Sequence, residues 1–155
     1  MGATSSSRGG LPRELPAGVE PFVCVTRVRF EDIDGMGHAN NARYLTYLEE
    51  ARLYWARDVL GVEGMEDLGF ILAHASIDFL QAARVADPLR VEMWVPRVGG
   101  KSWDFAYRVV HDERREVYAW ALTTQVAFDY KKGGSVEIPE QARTALERMA
   151  PAKTE

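Results

Sequence analysis

Side chains able to do proton chemistry are concentrated in one short stretch that joins a strand-like segment to a helical one. The stretch holds the carboxylates Asp32 and Asp34, the histidine His38, and the asparagines Asn40 and Asn41. A carboxylate can attack a carbonyl carbon or take a proton from water. The unpaired N–H groups at the start of a helix can stabilise the negative charge that then develops on the carbonyl oxygen. The stretch is therefore suited to attack on, or hydration of, a carbonyl compound.

The elements that must position these groups are a strand before them and a long helix after them. Residues 21–30 alternate in a two-residue period, which predicts a strand. From Asn41 onward the apolar residues recur at spacings of three and four, which predicts an amphipathic helix. We expect Asn40 or Asn41 to be the N-cap and Gly61 to end the helix, giving a rod of roughly 30 Å.

Four further strands and a short helix are predicted in the rest of the chain. The strands cover residues 70–81, 89–98, 102–111 and 117–130, and Pro139 opens a helix that runs to Met149. One long helix followed by a run of antiparallel strands indicates an α+β fold with the helix packed on one sheet face. Because the strands carry large apolar residues on both faces, we also expect oligomerisation.

Length and composition restrict the class of protein. The chain has 155 residues, a net charge of −4 and one cysteine, Cys24. We predict a single domain over residues 21–150, preceded by a flexible leader over residues 1–20. The charge argues against nucleic-acid binding, and no apolar run is long enough for a membrane span. The single cysteine excludes an internal disulfide and suits a reducing cytoplasm.

Other catalytic chemistries find little support in the sequence. The segment 133–137 lacks the closing glycine of a G-x-S-x-G elbow, and residues 99–102 match only the end of a phosphate-binding loop. Cys24 has no basic neighbour in its predicted strand, so we expect a buried thiol. Asp32, Asp34 and His38 lack the further ligands that a metal site needs. We predict no metal and no cofactor.

Several short motifs resemble those of the hot-dog-fold thioesterases, in particular the 4-hydroxybenzoyl-CoA thioesterase and acyl-CoA or acyl-ACP thioesterase group. The motifs lie at residues 29–34, 37–41, 44–52, 87–89, 100–102 and 138–139. The resemblance implies an antiparallel sheet wrapped around one long central helix, with a short C-terminal helix. It also implies a homodimer or homotetramer whose active sites lie at the dimer interface, near the start of the long helix.

The resemblance assigns roles within the first motifs. Asp34 matches the family's catalytic carboxylate, acting as nucleophile or as general base for water. The N–H near Asn41 matches the group that polarises the thioester carbonyl, and His38 matches an assisting histidine. Met36 stands where one branch of the family has asparagine. Asp32 is expected to be structural and to bond loop amides.

The resemblance also implies a substrate and the residues that bind it. We predict a cytoplasmic acyl-CoA thioesterase that releases a carboxylic acid and CoA, with a small-molecule substrate. Substrate contacts are expected from Tyr44 at the start of the helix and from Arg97, Lys101 and Ser102 at a predicted strand turn. Two alternatives remain open, namely an acyl-ACP thioesterase of the same fold and a non-catalytic module that binds acyl thioesters.

Overall fold

The long helix comes early in the chain and most of the sheet follows it. The structure, a computed structural model, describes residues 11–153. Its elements are β1 (Phe22–Arg27), α1 (Arg43–Leu60), β2 (Phe70–Phe79), β3 (Pro88–Val98), β4 (Ser102–His111), β5 (Val117–Asp129), β6 (Gly134–Ser135) and α2 (Glu140–Arg148). Single turns of 3₁₀ helix lie at Phe30–Asp32 and Met65–Asp67.

The strands form one antiparallel sheet in the order β1-β3-β4-β5-β2, with the two-residue β6 added to β5. The strand β2 is therefore an edge strand, although it precedes β3 in the chain, because it pairs with the distant β5. A bulge between Leu72 and His74 interrupts this pairing. The predicted α+β fold, an antiparallel sheet around one long helix with a short C-terminal helix, is confirmed.

The helix α1 lies on the inner face of the sheet and supplies six of the buried residues of the main core. Its buried face carries Tyr47, Leu48, Ala51 and Trp55, all without solvent exposure. Facing it are the alternate residues of β3 and β4, namely Leu89, Val91, Met93, Val95, Trp103, Phe105, Tyr107 and Val109. The aromatic rings meet edge to face, as Trp55 and Phe105 do at a centroid distance of 5.1 Å.

The strand β5 turns its small side chains toward the helix. The alanines Ala119, Ala121 and Ala127 lie in the main core, whereas Trp120 packs on the outer face. Of the large residues of β5, Trp120 points away from α1, whereas Tyr118 lies in the main core. The alanines leave space in the main core for bulky aromatic rings of α1 and β4, such as Trp55 and Phe105.

A stretch of chain before β1 covers part of the outer sheet face. Leu15 and Val19 pack against Trp94 and Trp120, and Arg13 forms an ion pair of 2.6 Å with Asp78. The first ten residues of the predicted leader lie outside the described residues. Residues 11–20 of the predicted leader thus contribute two apolar side chains to a small second cluster, which lies on the side of the sheet opposite α1.

Within residues 11–153, no helix combines the length and the apolar character needed to cross a membrane. The thiol of Cys24 is buried, as expected, and burial raises its pKa to about 11.

The fit between α1 and β5 can be tested by enlarging one alanine. We expect Ala121→Leu to lower the free energy of unfolding by about 1–3 kcal/mol, because the added atoms have no space beneath the helix. Ala152→Leu, at an exposed position near the end of the described chain, should change it by less than about 0.5 kcal/mol. Urea denaturation at one protein concentration measures both, and equal midpoints for the two variants would contradict the proposed fit.

Candidate active site

The stretch between β1 and α1 folds into a short hairpin loop that holds Asp34 and His38. Ile33 and Ala39 pair across it, and the Asp34 N–H donates to the His38 carbonyl at 3.0 Å. Gly37 closes the turn with φ of 79°, a left-handed conformation that favours glycine. This pairing places Asp34 and His38 at neighbouring positions on the two arms of the loop.

The carboxylate of Asp34 is half-buried near the tip of this loop. Its Oδ1 accepts a hydrogen bond of 2.9 Å from the Met36 N–H, which fixes the side chain against the turn. Among residues 11–153 this is the one hydrogen bond that the carboxylate accepts, so Oδ2 is left for another partner. The side chain of Met36 is exposed at the same turn.

Asp32, two residues earlier, points the opposite way and is buried. Its Oδ2 accepts hydrogen bonds from the Tyr47 hydroxyl at 2.7 Å and from the Arg29 N–H at 2.9 Å. The Arg43 Nε lies 3.7 Å from Oδ1. Burial and this bond to Asp32 raise the pKa of Tyr47. Asp32 therefore ties the loop to α1, in agreement with the structural role expected for it.

The start of α1 differs from the expected cap. Neither Asn40 nor Asn41 is the N-cap, which is Ala42 and has no side-chain cap. Asn40 instead bonds the residues just before the helix, because its Oδ1 accepts from the Ala42 N–H at 2.9 Å and its carbonyl from the Arg43 N–H at 2.8 Å. The sequence therefore predicted the correct turn, but it placed the N-cap one or two residues before its position in the structure.

The backbone N–H of Asn41 differs from those of its two neighbours in its hydrogen bonding. In the described part of the chain it donates to no acceptor, while its neighbours on both sides are bonded. Asn41 is exposed and precedes the first turn of α1. Its N–H is thus available to an external oxygen at the positive end of the helix dipole.

His38 and Tyr44 occupy different environments. The His38 ring is half-buried and makes no hydrogen bond to the residues that the structure describes. Tyr44 is buried, with its ring 5.1 Å from that of Phe79 and 5.6 Å from that of Tyr47. Burial raises the pKa of Tyr44 to about 12. Tyr44 therefore packs among buried aromatic rings behind the Asp34 loop and is not exposed to solvent in the single chain.

The predicted substrate contacts Arg97, Lys101 and Ser102 lie at the β3–β4 turn, at the other end of the sheet. The Asp34 loop adjoins the opposite end of β3, since Val28 bonds Asp87 and Ala39 bonds Ala83. The 11 residues of β3 separate the two places by roughly 30 Å. One protomer therefore does not bring these residues to Asp34.

The three residues of this turn are not equally available. Arg97 binds both carboxylate oxygens of Asp104 at 2.9 Å and reaches the Ser102 Oγ at 3.1 Å. The Asp104 carboxylate raises the pKa of Arg97. Lys101 is exposed and forms no ion pair with a described residue. Sequence reasoning missed Arg143 of α2, which donates to the Gly99 carbonyl of the same turn at 2.8 Å.

Sequence reasoning also missed a buried cation beside the edge strand. Arg52 is 5% exposed and donates to the Tyr107 hydroxyl at 3.2 Å, with no carboxylate of residues 11–153 within 4 Å. It lines a cavity of about 240 Å³ together with Glu49, Ile71 and Leu72. Its helical spacing alone could have placed it on the buried face of α1.

The described residues contain no group of three or more histidine, cysteine or acidic side chains that could hold a metal ion. The chemistry available at the loop is that of a carboxylate, an imidazole and backbone N–H groups. Such a set can hydrolyse an activated carbonyl compound.

A long helix wrapped by an antiparallel sheet, with a carboxylate at the helix start, defines the hot-dog class of thioesterases. A family model of the thioesterase-like superfamily matches residues 28–146. The chain belongs to this superfamily, which confirms the predicted family and the predicted class of enzyme, a thioester hydrolase.

Individual relatives agree with this placement. The chain is 29% identical over 125 residues to the long-chain acyl-CoA thioesterase FadM of Escherichia coli, covering 79% of this chain and 95% of the relative. It is 30% identical over 133 residues to the acyl-CoA thioesterase YbgC of Haemophilus influenzae, covering 83% and 96%. The crystal structure of a 1,4-dihydroxy-2-naphthoyl-CoA thioesterase from Synechocystis shares the fold, with a TM-score of 0.71, 23% identity and coverage of 82% and 96%.

The bond between Tyr47 and Asp32 gives a test of the loop anchor. We expect Tyr47→Phe to lower the free energy of unfolding by about 1–3 kcal/mol, because it removes a donor from a buried carboxylate. Tyr54→Phe, on the exposed side of α1, should change it by less than about 0.5 kcal/mol. Thermal and urea unfolding measure the difference, and a Tyr47→Phe protein as stable as the Tyr54→Phe protein would count against the anchor.

Proposed function

We propose that this protein is an acyl-CoA thioesterase that hydrolyses a thioester to a carboxylic acid and CoA. The observation that carries the proposal is the half-buried Asp34 carboxylate, held by the Met36 N–H in the loop that leads to α1, where the Asn41 N–H donates to no residue of 11–153. The relatives named above are acyl-CoA thioesterases, which favours CoA over a carrier protein as the thiol.

Asp34 supplies the attacking group or activates it. With Oδ1 held by the Met36 N–H, Oδ2 either attacks the thioester carbon or takes a proton from a water molecule that attacks it. The collapse of the resulting tetrahedral species breaks the C–S bond and releases the CoA thiolate, which then takes up a proton. Attack by Asp34 itself would form an anhydride that water hydrolyses.

The N–H of Asn41 stabilises the negative charge on the carbonyl oxygen during this step. Backbone N–H groups are suited to this role because they are already oriented and need no reorganisation when the charge develops. The positive end of the α1 dipole adds to the same effect. His38, on the other arm of the loop, assists by orienting the water or protonating the leaving thiolate.

Assembly through β2 would complete the site. This edge strand is 10 residues long, and Leu72 and Phe79 near its two ends are exposed. A long unpaired edge with exposed apolar side chains is a template for pairing with another strand. We propose a homodimer in which two copies of β2 pair in antiparallel fashion, as twofold symmetry requires; two dimers would form the homotetramer.

This pairing would also bring the second group of predicted contacts toward Asp34. The Phe79 end of β2 lies near Tyr44 and the Asp34 loop, whereas its Phe70 end pairs with Ala127 near the β3–β4 turn. Antiparallel pairing puts the partner's β3–β4 turn at the same end of the joined sheet as Asp34. Lys101 of that turn could then contact the phosphate groups of CoA. We place the enzyme in the cytoplasm, consistent with its single, buried cysteine.

Asp34→Asn tests the chemistry directly. We expect kcat for the best acyl-CoA substrate to fall by roughly 10²–10⁴-fold, because the loss of a general base or nucleophile costs about that much. Thiol release from short, long and aromatic acyl-CoA substrates provides the assay. Asp67→Asn, an exposed carboxylate beyond the other end of α1, is the matched control and should keep its kcat.

The same assay separates the alternatives. Near-normal turnover of the Asp34→Asn protein on every active substrate would refute the mechanism. Saturable binding of acyl-CoA without thiol release would indicate a binding module. Hydrolysis that free CoA does not inhibit would indicate an acyl-carrier-protein substrate.

The proposed pairing through the edge strand β2 can be tested by introducing one charged side chain. We expect Leu72→Lys to raise the dissociation constant of the dimer roughly 100-fold, because each dimer would bury two unpaired lysines. Val25→Lys, at an exposed apolar position on the opposite edge strand β1, should leave the assembly intact. Analytical ultracentrifugation over a range of concentrations measures both, and equal dissociation of the two variants would exclude the β2 interface.

A further inference from the structure

The outer face of the sheet carries a concave group of arginines away from the Asp34 loop. Arg90 on β3, Arg108 on β4 and Arg115 in the β4–β5 turn line a cavity of about 420 Å³, which we call the arginine pocket. Glu92 lies at its base, and Leu15, Pro21 and Val110 form apolar walls. Because Arg90 and Glu92 alternate with core residues of β3, the pocket and α1 are on opposite sides of the sheet.

One carboxylate holds all three guanidinium groups. Glu92 is buried, and its oxygens lie 3.2 Å from Arg90, 2.6 Å from Arg108 and 3.5 Å from Arg115. A buried carboxylate needs a cation and hydrogen-bond donors to compensate for its lost hydration, and one cation already balances its charge. Three cations against one anion leave two positive charges in the pocket, in a chain whose net charge is −4.

The hydrogen-bonding capacity of the arginines is also only partly used. Each guanidinium has five N–H donors in a planar fork that matches the oxygens of a phosphate. Among residues 11–153, Arg90 donates only through its Nε, to Glu92 at 3.2 Å, and its two terminal nitrogens make no hydrogen bond. The Arg115 contact with Glu92 is long, and the side chain is more than half exposed. Donors are therefore left over on a concave surface that has no second carboxylate in its lining.

From these observations we propose that the arginine pocket binds a phosphate group. The excess charge, the planar donors and the apolar walls fit a phosphate carried by a small molecule better than they fit a bare chloride ion. This assignment does not depend on the proposed thioesterase mechanism. It concerns a second site on the face of the sheet opposite the one on which α1 lies.

The test uses the full-length protein with two probes, inorganic phosphate and adenosine 3′,5′-bisphosphate, at constant ionic strength set with chloride. The guanidinium of Arg108 lies 5.8 Å from the centre of the Trp120 ring, so occupancy should change tryptophan fluorescence. We expect saturable binding by calorimetry and a matching fluorescence change. Tighter binding of the nucleotide would show that the apolar walls contact its organic part, and equal binding would show that the phosphate group alone is recognised.

Arg115→Gly is the informative variant. Arg115 has φ of 62°, which glycine adopts readily, so this change removes the guanidinium without straining the turn. We expect its affinity for phosphate to fall about tenfold, as for the loss of a charge-assisted hydrogen bond. Arg114→Ala removes the same charge from the same turn but not from the pocket lining, so its affinity should fall less than threefold.

Two results would overturn the proposal. One is the absence of saturable binding of either probe to the unmodified protein. The other is an equal loss of affinity in Arg115→Gly and Arg114→Ala, which would show attraction by general surface charge. Thioester hydrolysis should be unchanged in Arg115→Gly. A failed phosphate titration with normal hydrolysis, or the reverse, therefore distinguishes this proposal from the proposed function.

Discussion

The packing of α1 against the inner face of the sheet is the constraint on which the rest of the structure depends. Four side chains of the helix, Tyr47, Leu48, Ala51 and Trp55, are completely buried there. Burial of each large apolar side chain contributes about 1.5–3 kcal/mol. The helix cannot rotate without exposing this face, so the direction of its N-terminal end, and with it the position of the Asp34 loop, follows from hydrophobic packing at its middle.

Asp32 extends that constraint from the helix into the loop. Its buried carboxylate joins the Tyr47 hydroxyl of α1 to the Arg29 N–H, so both ends of the loop are held by one group. Asp34, two residues on, is thereby turned toward the surface with one oxygen unbonded. Asp32 and Asp34 thus lie two residues apart, and the extended backbone between them sends their side chains in opposite directions.

The sequence predicts the elements well where the pattern is repeated many times. The alternation in β3 and β4 identifies both the strands and their inner faces, because one face of each is apolar over its whole length. It is less informative for β5, where Trp120 points outward while Tyr118 and three alanines lie in the main core. Which face of β5 is buried depends on the bulk of Trp55 and its neighbours on another element, and this information is not present in the local pattern.

The residues of the candidate site also differ in how well the sequence predicts their positions. Asp34, His38 and Asn41 are close in the chain, so a local pattern is enough to place all three between β1 and α1. Arg97, Lys101 and Ser102 are distant in the chain from Asp34 and lie at the far end of β3, so no local pattern relates their positions to that of Asp34. The burial of Arg52 and the grouping of three arginines around Glu92 were not predicted, because a single basic residue in an amphipathic pattern does not reveal what it will contact across a sheet.

The two faces of the sheet differ in how they accommodate buried charged groups. The buried charged groups on the inner side include Arg52, which bonds to Tyr107, and Asp32, which bonds to Tyr47. The outer face buries the charge of Glu92 and surrounds it with cations. Replacing a buried ion pair with apolar residues is often neutral or stabilising, so stability alone is a weak reason for such a cluster. Three arginines on one carboxylate exceed what its compensation requires, and it is this excess of charge, rather than the cluster itself, that distinguishes a binding surface from a structural ion pair.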